Sequence, residues 1–252
     1  MAFDVAAESY DRFMGAWSRP LAAPFADFAG VRDGMRVLDV GCGPGSLIAE
    51  LAARLGPASV AAVDPSGSFV AAARERHPGV DVREASAESL PHPDGSFDAA
   101  LAQLVVHFMA DPVAGLREMT RVSKRGGVVA ACVWDHAGDR GPVSLFWRAA
   151  RDLDPAAPDE SELAGARRGH LSELLDLAGL SHIVETELAV ERAFAGFEDW
   201  WAPYTQGVGP AGAHVARLDP DARLELADRC RSLLPSGPFT LSAVAWAARG
   251  VV

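Results

Sequence analysis

The chain reads as an α/β protein of parallel strands joined by crossover helices, and three observations carry that reading. Short β-rich apolar runs alternate with longer Ala-rich helical ones through residues 35–134, the pattern of strand, crossover and strand again. The run Val37-Leu38-Asp39-Val40 breaks into Gly41-Cys42-Gly43-Pro44-Gly45 just before a helical pattern begins, so a strand feeds a tight turn into a helix. The next apolar run, Ser59 to Val63, ends in Asp64, which puts a second carboxylate at the tip of a neighbouring strand.

Taken in order, the pattern predicts helices over 4–29 in two pieces, broken at Pro20 and Pro24 because proline has no N–H to donate. A strand at 35–40 follows, then a helix at 46–55 stopped by Gly56-Pro57, a strand at 59–63, and a helix at 67–76 stopped by His77-Pro78-Gly79. Strands at 80–84 and 97–103, a helix at 112–123 and a strand at 127–134 complete this half. After Trp134 the composition changes. Residues 135–168, with a helical run at 143–153, are too long for a simple connection and read as an insertion. A helix at 170–178 closed by Gly179 leads to a strand at 181–190, a second insertion at 197–234 carries Trp200, Trp201 and Tyr204, and 239–248 reads as a closing strand.

Composition narrows the partners. With 252 residues, 49% of them hydrophobic, the chain can bury one full core, and a single domain over 1–252 is the expectation. A net charge of −11 with one lysine, Lys124, argues against a nucleic-acid partner and for a small molecule. Cys42, Cys132 and Cys230 form no C-x-x-C pair, and His136, His170 and His214 are scattered, so no metal site is expected and a reducing cytoplasm fits. The chain opens without a cationic apolar leader and has no stretch of about 18 apolar residues, so neither a signal peptide nor a membrane span is expected.

The glycine turn itself is a nucleotide-type cradle: without Cβ atoms at 41, 43 and 45 the backbone can approach a ligand, and the following helix presents unpaired N–H groups. Its spacing departs from the dinucleotide fingerprint, in which the third small residue comes one position later, and no lysine stands near to neutralise a triphosphate. Asp39 at its mouth would repel a pyrophosphate but attract a ligand bearing an ammonium group. A nicotinamide-dependent oxidoreductase would share the turn and Asp64 but fails on the glycine spacing.

Val37 to Leu47 resembles the first motif of the class I S-adenosylmethionine-dependent methyltransferases. Further matches come in the family's order: Ala85-Ser86-Ala87-Glu88-Ser89-Leu90-Pro91 with Asp94-Gly95-Ser96-Phe97-Asp98, the strand through Gln103 towards His107, and Arg117 to Val122 with Lys124-Arg125-Gly126-Gly127. Together they cover about residues 35–133, and Tyr10 to Phe13 with Trp17 to Pro20 is similar to the lead-in of the quinone-methyltransferase-like branch. The resemblance implies a Rossmann-like, doubly wound sheet of seven strands ending in an antiparallel hairpin, with helical cap insertions. It divides the domain into N-terminal cap helices (1–30), a cofactor-binding half (31–134) and substrate caps (135–168 and 197–234).

The implied cofactor is S-adenosyl-L-methionine, and the residues expected to bind it are Tyr10, Arg19, Asp39, Gly41, Cys42, Gly43, Gly45, Asp64, Pro65, Ser66, Ser86, Ala87, Glu88 and Gln103. Several have a plainer reading beside them. Asp64 either binds the ribose diol or caps the next helix; Ser86 stands where the family's adenine-facing Asp would be, and the N–H groups of Ala87 and Glu88 would read the ring. Arg19 would pair with the cofactor carboxylate, or it and Tyr10 belong to an ordinary packing helix. His107 is either a general base or a packed histidine. The aromatics Phe13, Trp17, Trp134, Phe146, Trp147, Trp200, Trp201 and Tyr204 are either core or the wall of an apolar acceptor pocket. The expected activity is methyl transfer to a small-molecule acceptor, with a catalytically silent cofactor-binding sensor or scaffold as the alternative.

Overall fold

The structure, a computed structural model, describes residues 11–158 and 160–252. One π-helical turn, Asp11–Gly15, runs into α1 (Ala16–Phe28). The elements that follow are β1 (Val37–Val40), α2 (Ser46–Leu55), β2 (Val60–Asp64), α3 (Gly67–Arg76), β3 (Asp81–Glu84), β4 (Phe97–Gln103), α4 (Pro112–Val122), β5 (Ser123–Trp134), α5 (Ser144–Leu153), α6 (His170–Leu177) and β6 (Ser181–Phe194). Three helices, α7 (Phe197–Trp201), α8 (Gly209–Arg217) and α9 (Pro220–Ser232), then precede β7 (Phe239–Val251).

The seven strands form one sheet in the order β3-β2-β1-β4-β5-β7-β6. The first five are parallel, and β7 runs antiparallel between β5 and β6. An all-parallel dehydrogenase sheet lacks that inserted strand. Strand order reverses between β1 and β4, so the carboxyl ends of these two strands frame the crevice where open α/β sheets take their ligands.

Strand alternation divides the core between the two faces. On β5, Ala130, Cys132 and Trp134 join the cluster beneath α1, α2 and α5, while Val129, Ala131 and Val133 join the one beneath α4 and α6. This two-sided burial is why β1, β2 and β4 read as continuous apolar runs.

One expectation is corrected here, and one open choice is narrowed. α1 is not broken at Pro20 or Pro24; it is continuous with both prolines inside it. Each proline removes one backbone hydrogen bond, but Trp17, Ser18, Leu21, Ala22, Phe25 and Ala26 form a single buried face, and their burial outweighs the loss. Of the two readings of the aromatics, core or pocket wall, the packing favours core. Phe146 and Tyr204 are stacked with centroids 4.8 Å apart, Phe13 meets Tyr204 edge-on at 4.9 Å, and Trp200 and Trp201 are buried in the same cluster. Lesser differences lie at strand ends: β5 begins at Ser123 by way of a left-handed Gly126, and β6 and β7 extend to Phe194 and Val251. Among the described residues no helix is long and apolar enough to cross a membrane.

Candidate active site

At the end of β1 the chain reverses so tightly that the N–H groups of both Gly41 and Cys42 donate to the Val63 carbonyl of β2, at 2.8 and 2.9 Å. Gly41 has φ +73°, and a Cβ there would lie 2.5 Å from the Val105 methyl carbons, so the turn and the segment after β4 touch only because position 41 is bare. Gly43, with φ +54°, differs: a Cβ would meet nothing within 4 Å, and the residue borders open cavity. That is the space a ligand approaching the backbone requires. Gly45 is bare for a third reason, because a Cβ would strike the His77 ring at 2.4 Å.

Asp64, at the tip of β2, fastens this turn. Its Oδ2 accepts from the Gly43 N–H at 2.8 Å and its Oδ1 from the Ser66 N–H at 2.9 Å. The cap of α3 is Ser66, whose hydroxyl accepts from the Phe69 N–H, so the helix-cap reading of Asp64 is not what the chain adopts. Burial raises the Asp64 pKa, and the two N–H donors oppose the rise.

Asp39 is buried to 1% exposure, and its Oδ2 has no hydrogen-bond partner among the described residues. Desolvation, with the Asp64 charge second, pushes its pKa up to about 8. Asp39 lines the cavity, and its ionised form, disfavoured by burial, would be balanced by a positive charge on a ligand there. Gln103 is its neighbour. Asp39 pairs with Leu101 across β1 and β4, so Gln103, two residues on, lies on the same sheet face. Gln103 Nε2 donates to the Ser18 carbonyl of α1 at 2.9 Å, and Oε1 has no partner among the described residues.

After Gln103, Leu104 takes φ +62°, a left-handed conformation uncommon outside glycine, which turns Val105 onto Gly41. Glu88 braces the loop beyond, its Oε1 accepting from the Ala110 N–H at 2.8 Å.

These groups surround a cavity of about 750 Å³. Asp39, Gly41, Cys42, Gly43, Asp64, Pro65, Ser66, Ser86, Ala87, Glu88 and Gln103 all line it. Gly45 stands behind the wall against His77, Arg19 is exposed and does not line it, and Tyr10 lies outside the described residues. His107 is also off the wall. Its ring sits 3.9 Å from that of Phe108, its Nδ1 is buried without a hydrogen bond, and burial, reinforced by His136, lowers its pKa to about 3. Its place off the wall, its contact with Phe108 and its lowered pKa favour the packed-histidine reading of the two that the sequence left open.

The wall also holds residues that sequence reasoning did not single out: Ser18, Ser46, Phe69, Leu104, Phe108 and Met109. Ser46 could have been flagged as the first residue of the helix after the glycine turn, whereas Ser18 reaches the site only because α1 crosses the strand ends, which no local pattern announces.

The fold and the cavity define a class: an α/β protein with a nucleotide-type cradle at its strand-order reversal and a buried carboxyl, Asp39, in the cavity wall. Residues 38–131 match the family model described as a methyltransferase domain. The chain is 34% identical over 218 residues to malonyl-[acyl-carrier protein] O-methyltransferase of Erwinia billingiae, which covers 86% of this chain and 80% of that protein. It is 38% identical over 119 residues to the ubiquinone/menaquinone biosynthesis C-methyltransferase of Stenotrophomonas maltophilia, covering 44% and 46%. Among solved structures, a putative type II methyltransferase from Anaeromyxobacter dehalogenans aligns with TM-score 0.65 at 24% identity over 92% of this chain and 95% of that one, a likeness of fold. The chain belongs to the S-adenosylmethionine-dependent methyltransferases. Its cofactor is S-adenosylmethionine, and the partnerless Asp39 oxygen and the open space at Gly43 both fit that molecule.

Proposed function

We propose that this methyltransferase transfers the methyl group to a small, apolar, uncharged or amine-bearing acceptor by in-line displacement. When bound, S-adenosylmethionine would supply an electrophilic methyl carbon to the acceptor's lone pair or π electrons, with the electrons of the broken S–C bond kept by sulfur. The protein's part is placement. Asp39 and the Gln103 carbonyl oxygen receive the ammonium of the amino-acid tail, Asp64 the ribose, and the Ser86 to Glu88 segment the adenine. Leu104, Val105, Phe108 and Met109 provide an apolar wall that keeps water from the transfer site.

The observation that carries the acceptor class is the charge on the wall: its ionisable carboxylates are Asp39, Asp64 and Glu88, and no Arg or Lys lines it among the described residues. An anionic acceptor would find no cationic side chain to pair with in a low-dielectric cavity, whereas a phenol, hydroquinone or amine needs none. A relative 35% identical over 133 residues is a 2-methyl-6-phytyl-1,4-hydroquinone methyltransferase of Oryza sativa, whose named acceptor is of this uncharged kind. The malonyl acceptor named for the Erwinia relative is not. Release of S-adenosylhomocysteine, measured with matched panels of hydroquinones, phenols, amines and carboxylates, tests the reading. Turnover confined to the first three classes is expected, and preferential methylation of a carboxylate would overturn it.

A further inference from the structure

The N-terminal helix is tied to the cofactor cavity at one residue from two sides. The Ser18 carbonyl accepts from Gln103 Nε2 of β4 at 2.9 Å, and the Ser18 hydroxyl donates to the Ser46 hydroxyl of α2 at 3.0 Å. Ser18, Ser46 and Gln103 all line the cavity. A backbone carbonyl can only accept, so the amide nitrogen of Gln103 must face α1 and its oxygen must face away from it. That oxygen is buried and partnerless among the described residues, and it shares a sheet face with the equally partnerless Asp39 Oδ2. Buried oxygens are costly to leave without a partner, and an ammonium, with three donors, can serve the Gln103 amide oxygen and an ionised Asp39 together.

We propose that Gln103 is a two-ended bridge: its oxygen takes a hydrogen bond from the ammonium of the cofactor's amino-acid tail while its nitrogen holds the Ser18 carbonyl, so that tail binding and the seating of α1 are coupled. The inference rests on the assignment of this cavity to the cofactor. It adds that the enzyme senses the tail and not the nucleoside, and that Gln103 acts as a positioning residue for the cap helix. Without the tail, the amide is held at its nitrogen end only, by Ser18. With it, the amide is fixed at both ends, and by linkage a seated α1 strengthens tail binding by the factor with which the tail seats α1.

Two ligands separate this coupling from ordinary stabilisation: S-adenosylhomocysteine, and 5′-methylthioadenosine, the same nucleoside thioether without the amino-acid tail. Amide hydrogen exchange over residues 16–28 is followed in the full chain with each ligand at saturation. S-adenosylhomocysteine is expected to slow exchange in this helix about fivefold to tenfold beyond 5′-methylthioadenosine, the effect of about one fixed hydrogen bond. Gln103→Met, similar in volume and unable to bond at either end, is expected to erase that difference while leaving 5′-methylthioadenosine affinity within about twofold. Equal protection by both ligands, or a tail-specific protection that survives in Gln103→Met, overturns the bridge. If neither ligand binds, the cavity assignment itself fails, and a shared loss of affinity for both ligands in Gln103→Met reduces the residue to packing.

Discussion

Replacing Asp39 with Asn keeps the shape of the side chain and removes its titration, which makes two opposite effects measurable on one variant. The folded, unliganded protein holds the Asp39 proton up to about pH 8, against an ordinary value of 3.8. Between those values the folded state binds the proton more tightly than the unfolded chain does. The carboxyl therefore lowers stability progressively as pH rises from about 4 to 8, with no further loss above. At ~1.4 kcal/mol per tenfold change in proton affinity, the full displacement sets a ceiling of roughly 6 kcal/mol on that cost. Asp39→Asn is thus expected to melt higher than the parent without ligand, by a margin that widens from pH 5 to pH 8. Ligand binding reverses the order. An ammonium pairs with the carboxylate and not with the amide, and losing a hydrogen bond between charged groups costs about 1.5–3 kcal/mol, or about 10- to 150-fold in affinity at pH 8. Below pH 8 the parent must release a proton to bind, so its affinity for S-adenosylhomocysteine should rise with pH between 6 and 8, with close to one proton released at pH 6. The variant should show neither effect. Calorimetric titrations in buffers of different ionisation enthalpy, paired with thermal melts across the same pH range, provide both readouts. An Asn variant with parental affinity and parental proton release would refute the assignment of Asp39 to the ammonium.

Other outcomes follow from the geometry. Asp64→Ala should weaken S-adenosylhomocysteine by about 1.5–3 kcal/mol and also lower the melting temperature, because the Gly43 and Ser66 N–H groups lose their acceptor; unchanged affinity in a calorimetric titration would remove Asp64 from the site. Gly43→Val should fold, since its Cβ meets open space, at a cost of about 1–2 kcal/mol for the left-handed backbone, and should bind no cofactor because the side chain fills the cradle; cofactor affinity within threefold of the parent would contradict this. Trp201→Ala should cost about 3–5 kcal/mol in chemical denaturation, as for a large ring removed from a packed core, and full stability with a selective loss of turnover would restore this ring to the acceptor pocket. His107→Asn should leave turnover within about threefold and should not move any inflection of the pH–rate profile between pH 5 and 8, given a pKa of about 3; a hundredfold loss would reinstate it as the base.

What could be read from the sequence was what sterics and strand ends impose locally. The glycine turn and the carboxylates of Asp39 and Asp64 were legible because close backbone approach and strand-tip placement leave direct marks on residue type. Gly45 carried the same mark for a different cause, the His77 ring, which belongs to the far end of α3. Arg19 and His107 sit next to lining residues along the chain, but a helix points successive side chains about 100° apart, and the sequence does not say which one faces the cavity. Ser18 enters by the reverse route, on the buried face of a helix whose prolines suggested a break. The aromatics of the second insertion were visible as a group, yet whether rings line a pocket or fill it depends on their mutual packing, and here Phe146, Trp201 and Tyr204 stack on one another.

A crystal structure of the protein with S-adenosylhomocysteine bound tests the central claim most directly. The tail amine is expected within about 2.7–3.2 Å of Asp39 Oδ2 and Gln103 Oε1, with the ribose hydroxyls at Asp64, the adenine beside Ala87, and the sulfur turned towards Leu104. A ligand seated outside this cavity, or lying in it with its adenine against Asp39 and its tail against Ala87, would contradict the account.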